Sequence, residues 1–453
     1  MVDRLHDSRR RVFGHRNTFF RRPARGFGKH FDTDAVRRRR YPFSVDADTA
    51  PKTSAHAAFA AATVSAAAFA AFILGAHLQP DLGPRFELSV ADFANWNVAT
   101  FATAIVGGLA IGRIARRLGT RVALGAVLFV ATVGMLLIAS ADSATAAFVG
   151  RLAAAFAFGG TWGTTQSVAS AAASADARAR AAGIVQTGPP AGSALAAAIN
   201  AWIGPASTSV SGIEAFRGSA LGVAALCVVA TAALFLIPRT IPTSTPAASV
   251  ATGTGFNRRG LIVGGVALAL QMAAYWCSFA WLPQHLAIER GLPRTETGTL
   301  LVVVALFQIL GDVLGGRAVA RYGTRAVFTT GSLAVAAGLS MTAFAWPILA
   351  STVGGVGAAL AATGLGMGLW AAFAPMFAQH IPESNRAAGL STVYNVARLV
   401  QIPAQVVLAA MYARTGSLAS ALGLSAACCA LSIIPFTIAA ARHDDAVDRG
   451  DRI

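Results

Sequence analysis

From His56 onward the chain alternates long apolar runs with short polar breaks. Twelve such runs stand out, over roughly residues 57–78, 93–111, 122–140, 146–173, 181–203, 217–237, 260–283, 297–315, 326–344, 348–379, 387–412 and 418–441. A helix crossing a bilayer needs about 20 predominantly apolar residues. Backbone in lipid must satisfy its own hydrogen bonds, and these runs are too long for barrel strands, so each is predicted to be a helix. Ala and Gly dominate several of them, as in GGVGAALAATGLGMG (Gly354–Gly368), which permits close helix–helix approach. The expected fold class is an all-α membrane protein with twelve transmembrane helices.

The polar breaks carry an internal repeat. GRIARRLGTR (Gly112–Arg121) lies between the second and third runs, and GRAVARYGTR (Gly316–Arg325) between the eighth and ninth. The two hinges share Gly112 with Gly316, Arg113 with Arg317, Arg117 with Arg321, Gly119 with Gly323 and Arg121 with Arg325, 204 residues apart (316 − 112). A second pair, RAAG at Arg180–Gly183 and at Arg386–Gly389, falls between the fourth and fifth runs of each half. A six-span unit written twice predicts two pseudo-symmetric bundles around a central cavity. The predicted organisation is a basic disordered tail over 1–55, a six-helix bundle over 56–238, a linker over 239–259, a second bundle over 260–441 and a tail over 442–453.

Charge sets the expected orientation. Breaks after even-numbered runs hold thirteen arginines, from Arg113 to Arg386, whereas those after odd-numbered runs hold only Arg85, Arg217, Arg290, Arg294 and Arg414. Positive residues stay inside, so both termini are expected in the cytoplasm. Only 13% of the residues are charged and 55% are hydrophobic, against about 25% charged in a soluble domain. The net charge of +17 has no single basic face behind it: 14 of the 37 basic residues precede position 53, in the tail, and the rest mostly sit between the apolar runs. It therefore does not indicate nucleic acid. Both lysines, Lys29 and Lys52, lie in that tail, so the spans hold no GxxxxGK[ST] phosphate loop. HExxH and GxSxG are also absent. Cys227, Cys277, Cys428 and Cys429 sit inside apolar runs with no metal-ligand spacing. No enzyme, metal or cofactor is expected.

The first hinge resembles the G-x-x-x-D-R-x-G-R-R hallmark of the major facilitator superfamily, found there between spans two and three with a weaker echo between spans eight and nine. The resemblance covers Ala57 to Ala441 and implies two six-helix bundles that rock about a central site. GGTWG (Gly159–Gly163), QTGPPAG (Gln186–Gly192), FAWLPQHLAIERGL (Phe279–Leu292) and IPESNRAAGLSTVYNVAR (Ile381–Arg398) resemble the branch of metabolite–proton symporters that carry organic acids, including aromatic and sialic acids. The chain departs from the hallmark where its acid would stand, with Arg116 in the first hinge and Ala320 in the second. The acidic residue usual in the first span of aromatic-acid carriers is missing too.

Ionisable side chains within a span cost about 2.5–3.5 kcal/mol on insertion scales unless paired or hydrated, so the few present are the first candidates for function. Arg398 falls about mid-membrane and reads either as the bidentate partner of a substrate carboxylate or as a structural partner of backbone or of Asp312. Asp312 reads as a proton relay, or as a partner of Arg317 or Arg321 near the end of its span. Arg151 matches a family arginine, which implies a part in proton or anion handling; snorkelling toward the headgroups is the alternative. His77 titrates near physiological pH or sits at the interface. Among polar and aromatic residues, Tyr394, Asn395, Gln166, Trp370 and Gln271 are candidates for substrate contact. Tyr394 and Arg398 lie one helical turn apart on one face. Pro189-Pro190 and Pro403 interrupt the fifth and eleventh spans, which correspond in the two halves.

Together with the resemblance, these residues imply an expected activity: secondary transport of a small organic anion across an inner (plasma) membrane, coupled to protons, by a monomer. The alternatives are a proton-antiporting exporter of drugs or metabolites and a non-transporting receptor. No charged ring or repeated filter segment marks a pore.

Overall fold

A computed structural model describes residues 55–171, 175–239, 257–352, 354–381 and 386–448. The basic tail, most of the linker and the last five residues lie outside the described residues, as do the side chains of Arg178 and Arg386. Every regular element among the described residues is helical.

Eleven helices are long and apolar enough to cross a membrane. In the first half they are α1 (Ala55–His77), α2 (Val90–Leu118), α3 (Thr120–Ala139), α4 (Ala144–Ser170) and α6 (Ala215–Ala230, prolonged to Leu236). In the second half they are α7 (Arg258–Gln284), α8 (Arg294–Tyr322), α9 (Thr324–Phe344), α10 (Gly355–Gly368, prolonged to Ala378), α11 (spanning over Thr392–Thr415) and α12 (Ala419–Asp448). The predicted fifth span is not one continuous helix. It is built from α5a (Ala175–Gln186) and α5b (Gly188–Ala198), with a π-helical turn (Ile199–Ile203) and a last piece, Gly204–Ser211. Pro189 and Pro190 follow its break; a proline lacks the N–H for its carbonyl partner four residues back and its ring clashes there. The eleventh span divides likewise into α11a (Arg386–Arg398) and α11b (Gln401–Thr415), with Pro403 just after the gap.

The repeated hinges make the same turn. Gly119 and Gly323, each ending one helix and starting the next, have φ of 94° and 80° with ψ of 161° and 160°. That backbone is open to glycine and strained for other residues. Arg121 then reaches the end of the sixth span, donating from Nε to the Ile237 carbonyl at 2.7 Å and from Nη2 to that of Phe235 at 3.3 Å. Arg113, Arg116, Arg117, Arg317 and Arg321 are exposed at this hinge face.

Glycine also sets the helix crossings, again in pairs. A Cβ at Gly107 would lie 2.0 Å from the Phe156 carbonyl oxygen, bringing α2 onto α4, and one at Gly311 would lie 2.4 Å from that of Leu365, bringing α8 onto α10. Between the halves, α2 packs on α11b and α8 on α5b, while α1 touches α7. The first two contacts are equivalents under the repeat. Outward-facing side chains such as Phe129, Val229 and Ile262 are apolar and exposed, as a lipid-facing surface requires.

Candidate functional site

The break in α11 determines what surrounds Arg398. It occupies the last turn of α11a, and the Ile402 amide turns back to the Leu399 carbonyl at 3.3 Å. The carbonyl end of a helix carries partial negative charge and favours a cation. The guanidinium also lies over two rings of α4 in the other half, 5.7 Å from the Phe158 centroid and 5.6 Å from that of Trp162. Such contacts contribute about 0.5–2 kcal/mol each, more as water is excluded. Tyr394, one turn earlier, stacks on Trp162 at 5.1 Å and 27°. No described carboxylate forms an ion pair with Arg398, and its Nε is buried without a partner. The fold therefore places this cation at a helix end against two aromatic faces, with no described carboxylate as its counter-charge.

Asp312 on α8 is half-buried within electrostatic reach of Tyr275 and Tyr394. Its Oδ2 has no partner, and it forms no ion pair with Arg317, Arg321 or Arg398 among the described residues. Trp370 meets Tyr275 edge-on at 5.9 Å, with its indole N–H buried and unpartnered. Gln166 lies one turn beyond Trp162 and donates to Gln186 at 3.4 Å. Arg398, Tyr394, Asp312 and Trp370 are thus grouped around the junction of α4, α7, α8, α10 and α11a, while Gln166 on α4 bonds to α5a.

The other candidates lie elsewhere. Gln271 is fully buried within the second half, donating to Ser332 at 2.7 Å and Ser432 at 2.9 Å while its oxygen faces the Cys429 thiol at 3.3 Å. Its hydrogen bonds are committed to holding α7, α9 and α12 together. Asn395 is exposed, turned about 100° from Tyr394 around the helix.

Arg151 is separated from Arg398 by an aromatic plug. Trp276 packs with Phe72 at 5.4 Å, Phe101 at 5.5 Å, Phe158 at 5.5 Å and Phe69 at 5.9 Å. Behind it Arg151 does not snorkel outward: it is buried against Gly75, where a Cβ would come within 2.9 Å of Nε. Its Nη2 donates to Asn97 at 2.5 Å, and Asn97 in turn donates to Gln405 of the other half at 3.2 Å. Gln405 also accepts from Trp281 at 2.9 Å. A cavity of about 10 Å³ lies beside Arg151, Asn97 and Thr100, room for one water. His77 is buried between the halves rather than exposed at an interface.

Trp162, Phe158, Asn97 and Gln405 were not singled out by the sequence reading. For the two aromatics a signal existed: they stand one turn apart, beside the glycines of GGTWG. Asn97 and Gln405 meet across 308 residues, and nothing local marks that pairing.

The comparisons with known proteins accord with this architecture. The family model described as Major Facilitator Superfamily matches residues 57–265 and 264–451. Among solved structures, a D-xylose-proton symporter superposes with a TM-score of 0.67 at 14% identity, covering 83% of this chain and 96% of that one. A bacterial homolog to the human lysosomal transporter Spinster, in an inward-facing and occupied conformation, gives a TM-score of 0.58 at 15% identity, over 85% and 94%. At such identities the likeness speaks for the fold alone. No curated protein matches the chain. With the family model matching nearly all of the membrane region, the chain belongs to the major facilitator superfamily and is a multi-pass membrane transporter, not an enzyme.

Proposed function

We propose that the protein is a secondary transporter of a small organic anion, working by alternating access, with Arg398 as the group that binds the anion. One observation carries this reading: a guanidinium deep between the halves that has aromatic faces around it and no carboxylate partner. A substrate carboxylate supplies the missing charge through two parallel N–H···O bonds. Tyr394 and Trp162 form the aromatic wall beside it, which suits a substrate with a flat or apolar body. Because the rings over Arg398 belong to the first half and Arg398 to the second, bound anion is held by both bundles.

Asp312 is the proposed proton carrier. An unpartnered carboxylate beside the site is neutralised by a proton at far lower cost than it stays ionised, so proton and anion enter together with little net charge. Symport follows from that pairing. We assign the arginine-rich hinge face to the cytoplasm from the distribution of positive residues, and read the protein as a monomer of the inner membrane.

The experiment is uptake of a panel of radiolabelled carboxylates, with neutral and cationic solutes alongside, by proteoliposomes with and without an inward proton gradient. Gradient-driven accumulation of a carboxylate supports the reading. Accumulation of only neutral or cationic solutes overturns it.

A further inference from the structure

On the face opposite the hinges, one arginine of the second half is held almost entirely by the first. Arg294, at the start of α8, donates from Nη1 to Asp81 at 3.0 Å and from Nη2 to Ser219 at 3.2 Å and to the Asn200 side chain. Its Nε donates to the Asn200 backbone carbonyl at 2.7 Å. That carbonyl has a specific reason to need it. In the π-helical turn Ile199–Ile203 the Gly204 amide bonds back to Ile199, so the next amide in that register should serve Asn200. The next residue is Pro205, which has no N–H. The sequence thus creates a buried carbonyl without a backbone donor, and Arg294 crosses from the other bundle to fill the position.

The surroundings fit a closure that opens. Gly298, one turn further along α8, lies so close to the π-helical turn that a Cβ would stand 2.4 Å from that of Ala201. Beside the clasp is a cavity of about 80 Å³, lined by His77, Asp81 and Asn200 from one half and Pro283, Arg294 and Thr297 from the other. Its walls are largely apolar, with polar groups at His77, Asp81, Asn200, Arg294 and Thr297, and it is large enough for water, which can take over the carbonyl when the halves part.

We infer that Arg294 and the Asn200 carbonyl form a clasp that holds this face shut, so that Arg294 sets the balance between the two access states. The inference rests on the alternating-access reading above. Its partners Asp81, Asn200 and Ser219 all move away with the first bundle when this face opens, and a clasp loses all of its bonds together.

The test is a distance measurement on the full chain in lipid nanodiscs, with spin labels on a ketone-bearing amino acid at Val210 and Ile288. Both positions are exposed, and the four cysteines stay in place. Arg294→Gln is expected to raise the ratio of long to short distances by roughly 10- to 100-fold, as for loss of one hydrogen bond to a charged group. Pro205→Ala restores a donor N–H, so it should raise the same ratio less, and Arg294→Gln should act more weakly in that background. A distance distribution for Arg294→Gln that overlays the wild type's overturns the clasp. Equal effects in both backgrounds overturn the role of the orphan carbonyl. Should Arg294→Gln fail to fold, an unshifted distribution for Pro205→Ala overturns the proposal by itself. The readout needs no substrate, so an empty uptake panel would leave the clasp standing, and an unshifted distance would leave the anion reading standing.

Discussion

Two glycines of α4, one turn apart, should respond oppositely to the same substitution. At Gly159 an added Cβ would lie 1.7 Å from the Ala104 carbonyl oxygen and 2.5 Å from its carbon, whereas at Gly163 it would meet nothing within 4 Å. Comfortable contact between such atoms is roughly 3.5 Å, so Gly159→Ala forces α2 and α4 apart by more than about 1 Å. Overpacking of this kind costs about 1–3 kcal/mol. The upper end applies here because the blocking atoms are backbone and no rotamer change relieves them. Replacing glycine by alanine within a helix returns about 1 kcal/mol, and that gain is common to both variants. Their difference therefore isolates the clash, at about 3 kcal/mol. The assay is thermal unfolding in detergent followed by tryptophan fluorescence, with Gly163→Ala expected at or above wild type and Gly159→Ala clearly below it. The repeat supplies a second copy in α10, where a Cβ at Gly364 would stand 2.1 Å from the Val304 oxygen and one at Gly357 meets nothing. Equal melting of the two variants in either helix would refute the argument that glycine sets these crossings.

Two further outcomes follow from the site. Trp162→Ala removes one aromatic face from Arg398 and the stack on Tyr394, so carboxylate affinity should fall by about 0.5–2 kcal/mol, roughly 2- to 30-fold; Trp162→Phe should keep most of it, and unchanged affinity in Trp162→Ala would show that the ring does not support the cation. Asp312→Asn should leave uptake down the anion's own gradient but abolish accumulation driven by a proton gradient, and retained proton-driven accumulation would place the proton elsewhere.

How much of this could be read in the sequence depended on how local the cause is. The hinges, the prolines that break the fifth and eleventh spans, and the small residues at crossings act within a few residues and show in the string. Eleven helices of spanning length and apolarity stand where the sequence shows twelve runs; the fifth run, broken before Pro189-Pro190 and wound as a π-helical turn at Ile199–Ile203, supplies none. Glutamines in apolar runs were ambiguous. Gln271 bonds within its own bundle while Gln405 joins the two, and only the arrangement of helices separates those fates. Asn395 failed to join Tyr394 because adjacent helical residues face different ways. Arg294 counted merely as one arginine on the sparsely charged face. Its partners lie 75 to 213 residues away, although the Asn200…Pro205 spacing that calls for it is visible once the π-helical turn is known.

The central claim is that Arg398 awaits an anion rather than serving the fold. Its most direct measurement is the binding affinity of purified wild type, Arg398→Lys and Arg398→Gln for a carboxylate drawn from the uptake panel, by isothermal titration. Loss of one partner of a desolvated charge pair costs about 2–5 kcal/mol, roughly 30- to several-thousand-fold. Arg398→Gln should therefore bind almost nothing, and Arg398→Lys, which keeps the charge without the planar fork, should fall between. All three proteins should remain folded. An Arg398→Gln variant that binds the carboxylate as tightly as wild type would contradict the account.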